Sequence, residues 1–153
     1  MRTIRFRGKS KKDGTWAYGE YVLAEVKHIR TWTKRPYILH IFGSGGMLYV
    51  SGRTLVLEET VGQYTELKDK DGHDIYEGDI VECVSWNEFF SDGSGKLMEP
   101  FRRRMVVKFH NGAFKMVEEF PEPMKPSYWD LIYDGDVVVI GNIYDNPELL
   151  KPR

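Results

Sequence analysis

The amino-acid sequence predicts a mainly β fold, with an N-terminal hairpin and meander region over residues 1–60, a second β region over residues 61–150, and only short helical turns. Three observations carry this expectation. No long window repeats its apolar residues at helical spacing. Fifteen glycines and seven prolines are spread through the 153 residues, and these residues punctuate strands with turns. Asn111-Gly112 lies between two apolar runs, a strong hairpin signal because both residues tolerate the positive φ of a type I′ turn.

At the N-terminus Arg5, Arg7 and Lys9 alternate with Ile4, Phe6 and Gly8, and a β pattern resumes over residues 15–23 with Trp16, Tyr18, Tyr21, Val22 and Leu23. A two-residue turn at Asp13-Gly14 pairs Lys11 with Trp16, Lys9 with Tyr18, Arg7 with Glu20 and Phe6 with Tyr21. That register sends the cations to one face and Ile4, Phe6, Tyr21 and Leu23 to the other. Residues 24–34 read as a polar connection, Trp32 excepted. Strands are expected at Tyr37 to Phe42, Met47 to Val50 and Arg53 to Leu57, with Gly43-Ser44-Gly45-Gly46 as a turn.

In the second region, Asp71-Gly72 and Glu77-Gly78 mark turns, a strand runs from Asp79 to Trp86, and residues 87–101 read as an exposed excursion. The hairpin around Asn111-Gly112 places Phe109 against Phe114 and Val107 against Met116 on one face, with His110–Ala113, Lys108–Lys115 and Val106–Val117 on the other. The opposed lysines fit a solvated face or an anion site. Pro121, Pro123 and Pro126 stiffen residues 120–127. Tyr128 to Tyr133 fits a strand or one helical turn, and Val137 to Ile140 a buried strand. Asn146 followed by Pro147 reads as an N-cap opening a short terminal turn.

Composition bounds the function classes. At 41% hydrophobic and 14% aromatic, the chain has material for a core, which argues against disorder. Twenty-two Lys and Arg against 23 Asp and Glu give a net charge of −1, so the total does not recommend a polyanion, although a neutral sum can hide a basic face. Cys83 is the one cysteine, so no intramolecular disulfide forms. The first residues alternate charge and lack the apolar segment of a signal peptide, and no stretch reaches the ~18 apolar residues of a membrane span. The expected location is the cytoplasm.

Catalytic and metal motifs do not emerge. Asp69, Asp71, Asp74, Glu77 and Asp79 crowd together without the spacing of a calcium loop. His28, His40, His73 and His110 are scattered and only Cys83 can join them, so zinc spacing is missing. Gly43-Ser44-Gly45-Gly46 is neither a nucleophile elbow nor a P-loop. Cys83 follows Glu82, which opposes thiolate formation. No catalytic residue, metal or cofactor is expected.

Two binding surfaces stand out. Arg5, Arg7, Lys9 and Lys11 share a hairpin face with Trp16 and Tyr18, a pattern that binds phosphates and stacks bases in single-stranded nucleic acid. The same pattern also describes cationic side chains lying over aromatic rings on a solvated face. Arg102-Arg103-Arg104 adds charge or simply flanks a strand. Trp32, Trp86, Phe89 and Phe90 are candidates for a self-interface, because aromatic residues concentrate in interface cores.

Three blocks together resemble the YopX-like proteins of bacteriophages and prophages. They are Arg2-Thr-Ile-Arg-Phe-Arg-Gly-Lys9 with Gly14-Thr-Trp-Ala-Tyr-Gly19; Glu59-Thr-Val-Gly-Gln-Tyr-Thr65 with Leu67-Lys-Asp-Lys-Asp-Gly72 and Ile75-Tyr-Glu-Gly-Asp-Ile-Val81; and Val139-Ile-Gly-Asn-Ile-Tyr-Asp-Asn-Pro-Glu-Leu-Leu150. Glu66 departs from the pattern, standing where the family usually has glycine. The resemblance implies a largely β fold with an SH3-like barrel in the C-terminal part, and a phage or prophage origin. It brings no established activity and no catalytic residues. Gly62, Gly72, Gly78, Gly141, Tyr64, Tyr76, Tyr144 and Asp79 within the blocks read as scaffold, with Asp79 accepting backbone N–H groups of its turn. The expected function is therefore a non-enzymatic binding or self-assembling module, with a homo-oligomeric, phage or host protein partner. Single-stranded nucleic-acid binding through the N-terminal hairpin is the alternative, and no membrane partner is expected.

Overall fold

The computed structural model describes residues 4–85, 101–118, 124–131 and 137–151, so nearly all of the predicted excursion at 87–101 and part of the proline-rich loop lie outside the described residues. The chain is mainly β and divides into two units, Met1–Glu66 and Leu67–Arg153.

The first unit holds β1 (Phe6–Lys9), β2 (Trp16–Lys27), β3 (Trp32–Ser44), β4 (Met47–Leu55), a 3₁₀ turn at Glu58–Thr60, and the start of β5 (Gly62–Lys68). Within it the strand order is β4-β3-β2-β1-β5, with antiparallel pairing throughout. Its core is small: Ala17, Ile38 and Val56 are buried, with Phe6, Tyr21 and Val61 packed against them.

Three local features depart from the sequence expectation. The first hairpin closes through residues 10–15, and its register is Arg7↔Tyr18 and Lys9↔Trp16, two residues away from the expected pairing. The cause is Asp13. Its carboxylate accepts the Thr15 N–H at 3.1 Å and the Thr15 hydroxyl at 2.7 Å, a side-chain turn that competes with a type I′ turn. Only Gly14 of the pair takes positive φ, +72°. A slip of two residues keeps each side chain on its face.

Second, residues 24–34 are not a connection. β2 runs to Lys27 and β3 begins at Trp32, joined by a tight turn in which His28 and Thr31 exchange hydrogen bonds at 2.7 and 3.3 Å. Third, β4 is one continuous strand with its register shifted between His40 and Ile41. The expected break at Gly43–Gly46 is a two-residue turn of Gly45 and Gly46, at φ +59° and +80°. Pro36 sits inside β3 without disrupting it. Its carbonyl accepts Val56 N–H at 3.1 Å where β4 has just ended, so that side of the strand asks for no further ladder donor.

The second unit holds the end of β5, β6 (Asp74–Tyr76), β7 (Asp79–Ser85), β8 (Phe101–His110), β9 (Ala113–Glu118), β10 (Ser127–Asp130), β11 (Val138–Asn142) and a 3₁₀ turn at Pro147–Leu150. Five of these strands form a sheet in the order β10-β9-β8-β7-β11. Among the described residues no pairing joins β10 to β11, and no closed barrel is found there. The core comprises Ile75, Val81, Met105, Val107, Met116, Leu131 and Val137, with Leu67, Cys83, Phe114 and Val139 against it.

The β8–β9 hairpin has the predicted register, Val107↔Met116 and Phe109↔Phe114. Asn111 and Gly112 both take positive φ, 49° and 82°. Its second face is less solvated than alternation implies, since Val106 and Val117 are buried as well. Asn146 stands at the N-cap of the terminal turn with Pro147 after it, as expected, but its side chain makes no capping hydrogen bond. Its Oδ1 instead accepts the Asn142 N–H at 3.3 Å.

Candidate functional site

The N-terminal hairpin does not present its cations as a uniform basic face. Arg7 is only 7% exposed and its guanidinium lies 4.6 Å from the Trp16 ring centre. Lys9 Nζ lies 5.8 Å from the same ring, while Arg5 turns to Tyr64 at 4.6 Å. Lys9 also ties the hairpin to the 3₁₀ turn, its N–H donating to Thr60 Oγ1 at 2.8 Å and its carbonyl accepting Leu57 N–H at 2.9 Å. The structure thus brings Arg7, Lys9 and Trp16 together, leaves Tyr18 exposed, and sends Arg5 elsewhere. Each desolvated cation–π pair is worth about 1–2 kcal/mol, so these cations stabilise the hairpin.

At the tip of this hairpin lies a shallow groove of about 600 Å³, lined by residues 10–13 and 15–17 of the hairpin with His40 and residues 53–55. Lys11, Lys12 and Arg53 contribute positive charge and Asp13 a negative one. The turn is held rigidly: Ser10 N–H donates to Thr15 O at 2.8 Å, Gly14 N–H to Ser10 O at 2.9 Å, and Lys11 N–H to Leu55 O at 2.9 Å. Asp13 stays ionised below the usual carboxylate range because the Thr15 hydroxyl and amide both donate to it.

The acidic run of the second unit works as internal fastening. The Asp69 side chain is fully buried. Oδ1 accepts Asp71 N–H at 2.9 Å and His73 N–H at 2.8 Å; Oδ2 accepts Val139 N–H at 3.1 Å and lies 3.3 Å from His73 Nδ1. Burial pushes this carboxyl up, but the Val139, His73 and Asp71 donors outweigh it and hold the group below its ordinary value. Asp79, 1% exposed, accepts Tyr76 N–H at 2.7 Å. Asp74 pairs with Lys68 at 2.6 Å, and Glu77 accepts Phe109 N–H at 3.3 Å. Asp69, Asp71 and His73 can bring one ligand atom each within 4.8 Å, but both Asp69 oxygens already serve the turn and β11.

The arginine run is likewise committed. Arg102 and Arg104 pair with Glu82 at 2.8 and 3.3 Å, and Arg103 pairs with Glu118 at 2.9 Å while lying 5.1 Å from the Trp129 ring centre. Lys115, opposite Lys108, pairs with Asp130. Burial raises the Cys83 thiol, with Glu118 and Glu82 adding to the rise against Arg103.

The longest exposed run among the described residues is one that the aromatic count does not pick out. Every residue from His40 to Ser51 is exposed. This distal ribbon of β3 and β4 pairs Ile41 with Val50, Phe42 with Tyr49 and Gly43 with Leu48. Directly opposed residues share a face, so Ile41, Val50 and Leu48 line one side and Phe42, Tyr49 and Met47 the other. The Phe42 and Tyr49 rings stack at 5.4 Å, and Leu48 is 81% exposed. No residue from Ile41 to Gly52 carries a charge, in a chain that is 29% charged. That uncharged run, apolar at consecutive rather than alternate positions, was the available signal. Of the predicted interface residues, Trp32 is 64% exposed with Lys27 Nζ 5.8 Å from its ring centre. Trp86, Phe89 and Phe90 lie outside the described residues.

These features define a two-unit, antiparallel β protein whose buried acids fasten turns and whose apolar surplus lies on an exposed ribbon. The YopX protein family model matches residues 5–151, and the chain belongs to that family. A search of the curated proteins finds no match. Among solved structures, protein EF1440 from Enterococcus faecalis is similar, with 23% identity and a TM-score of 0.51, over 99% of this chain and 100% of that one. That likeness concerns the fold alone. No helix among the described residues is long and apolar enough to cross a membrane.

Proposed function

We propose that this chain is a non-enzymatic binding and assembly module that contacts another protein through the distal β3–β4 ribbon. The observation that carries the reading is the uncharged run from Ile41 to Gly52, exposed from Ile41 to Ser51 with apolar side chains on both faces. Exposed apolar surface of this kind marks protein contacts, and its aromatic and Met content matches interface cores. The non-enzymatic part is supported by the commitment of Asp69 and Asp79 to backbone N–H groups and by the raised Cys83 thiol. In a phage- or prophage-borne protein the role is accessory, carried out in the cytoplasm of the bacterial host. An SH3-like closure of the second unit is compatible with its five-stranded sheet and is part of this proposal.

The test is photo-crosslinking in living cells from a photoreactive phenylalanine analogue at Phe42, with the same analogue at Tyr18 as the control. The reading expects discrete adducts from position 42, identified by mass spectrometry and suppressed by Leu48→Lys. Adducts equal at both positions, or none at position 42, refute it.

A second reading, single-stranded nucleic-acid binding, is favoured by the groove that Lys11, Lys12 and Arg53 line together with Trp16. Arg7 and Lys9, already engaged with that ring, count against it. It expects a salt-dependent shift with mixed oligonucleotides, weakened by Lys11→Ala with Arg53→Ala. No shift at low salt removes it.

A further inference from the structure

We infer that the ribbon's occupant is a second copy of this chain, joined edge to edge through β4 about a twofold axis. The inference rests on the contact reading above and names its partner.

β4 ends the strand order of its sheet. Hydrogen-bonded and non-hydrogen-bonded rows alternate along an antiparallel pair. Counting from the two-residue turn at Gly45-Gly46, the Leu48 and Val50 backbone groups are the ones turned to the open edge. Proteins protect such edges with lysines, prolines or short strands. β4 has nine residues, and the part from Met47 to Gly52 carries neither charge nor proline. The short edge strand β10 is guarded by contrast, ending in Asp130 paired with Lys115.

The lack of charge selects the partner. In a twofold antiparallel pairing the segment meets its own copy running the other way, so only the residue on the axis faces itself, and an uncharged segment meets no like charge in any register. Homodimer interfaces are also more apolar than those with separate partners, where opposite charges across the interface serve recognition. The edge from Met47 to Gly52 carries no charge, a composition that fits self-pairing and offers no charge for a different partner to complement. Pairing also sets Leu48 and Val50 beside their symmetry mates on one face and Tyr49 and Met47 beside theirs on the other.

The experiment is multi-angle light scattering of the full chain over a wide concentration range, alongside a Leu48→Lys/Val50→Lys variant. The wild type is expected at about twice its 17.9 kDa mass. The variant is expected as a monomer with unchanged hydrogen-exchange protection at the core amide of Ile38, since both substituted side chains are exposed. In a Cys83→Ser background, Leu48→Cys or Val50→Cys is expected to form an intermolecular disulfide on mild oxidation, and Glu25→Cys is not. A wild type that stays monomeric at every concentration, or a dimer that survives both lysines, overturns the inference. A monomer that still gives discrete Phe42-position adducts to a different protein overturns the second copy alone, and a monomer without adducts overturns the contact reading with it.

Discussion

Replacing Asp69 tests the claim that the acidic run is scaffold. The buried carboxylate holds the Asp71, His73 and Val139 amides at 2.9, 2.8 and 3.1 Å, joining the β5–β6 turn to β11. In Asp69→Asn, Oδ1 keeps the two turn amides, but the new NH₂ faces the Val139 N–H, donor against donor. A half-buried amide left unmet costs about 1–3 kcal/mol, so about 2 kcal/mol is expected at neutral pH. Asp69→Ala also loses the turn bonds, which water replaces in part, and about 3–4 kcal/mol follows from the loss of charge-assisted hydrogen bonds. The pH dependence has a definite sign. The folded carboxyl lies below its unfolded value, so its stabilisation is complete above the unfolded pKa near ~4 and is lost as pH falls through the folded one. The gap between wild type and Asp69→Asn therefore closes in acid. Urea unfolding by circular dichroism gives the total, and hydrogen exchange of the Val139 amide reads the site, with protection falling about thirty-fold in Asp69→Asn. The Ile38 amide of the first unit serves as the unaffected control. An Asn variant within about 0.5 kcal/mol of wild type at neutral pH, or a gap that widens in acid, refutes the scaffold assignment.

Three further outcomes follow from backbone and surface geometry. Glu66 has φ +67°, which costs a side-chain-bearing residue about 1–2 kcal/mol, while glycine loses about 0.5–1 kcal/mol through the unfolded chain. Glu66→Gly is therefore expected to raise unfolding free energy by about 0.5–1 kcal/mol in urea melts, and Glu66→Ala, which keeps the strain, not to raise it. A Cβ on Gly19 would lie 2.2 Å from the Leu39 carbonyl oxygen, so Gly19→Ala must part β2 from β3. A loss of about 2 kcal/mol or more is expected, read as faster exchange of first-unit amides. Phe42→Ser or Leu48→Ser is expected to change the opening free energy read by hydrogen exchange at Ile38 by less than about 0.5 kcal/mol, because neither side chain is buried.

What the sequence disclosed depended on whether a turn carries its own chemistry. Asn111-Gly112 does, and the β8–β9 register was readable residue by residue. Asp13-Gly14 carries two conflicting instructions. The Asp13 side chain prevails by capping Thr15, which shifts the register by two. The β2–β3 turn at Ile29-Arg30 has neither glycine nor positive φ, so nothing local announced it. The glycine usual in the family at position 66 corresponds to a left-handed backbone that this chain adopts with glutamate. Alternation placed Arg7 on the Trp16 face, but its burial depends on how the ring lies over it and on the 3₁₀ turn tied to Lys9. Those are tertiary facts, and a basic alternating strand has the same pattern whether its cations are free or covered.

The distal ribbon shows the limit from the other side. Residues 37–42 and 47–50 were readable as strands, but strand prediction assigns one face inward, and here neither face is. Local propensity therefore favours the ribbon while burial does little to stabilise it. Beyond the Ile38 core, it is held by its ladder to β3, the Gly45-Gly46 turn and the Phe42–Tyr49 stack. A two-stranded ribbon in water is marginal, and an apolar, unguarded edge is an aggregation hazard. Both costs fall when the edge is paired, because the ribbon then becomes the interior of a wider sheet. Self-pairing and folding of the distal ribbon are accordingly coupled. Amide exchange between Ile41 and Val50 is expected to slow as protein concentration rises, while exchange at Ile38 stays constant. Concentration-independent exchange along the ribbon would mean that its order is intrinsic and would remove the energetic reason for a second copy.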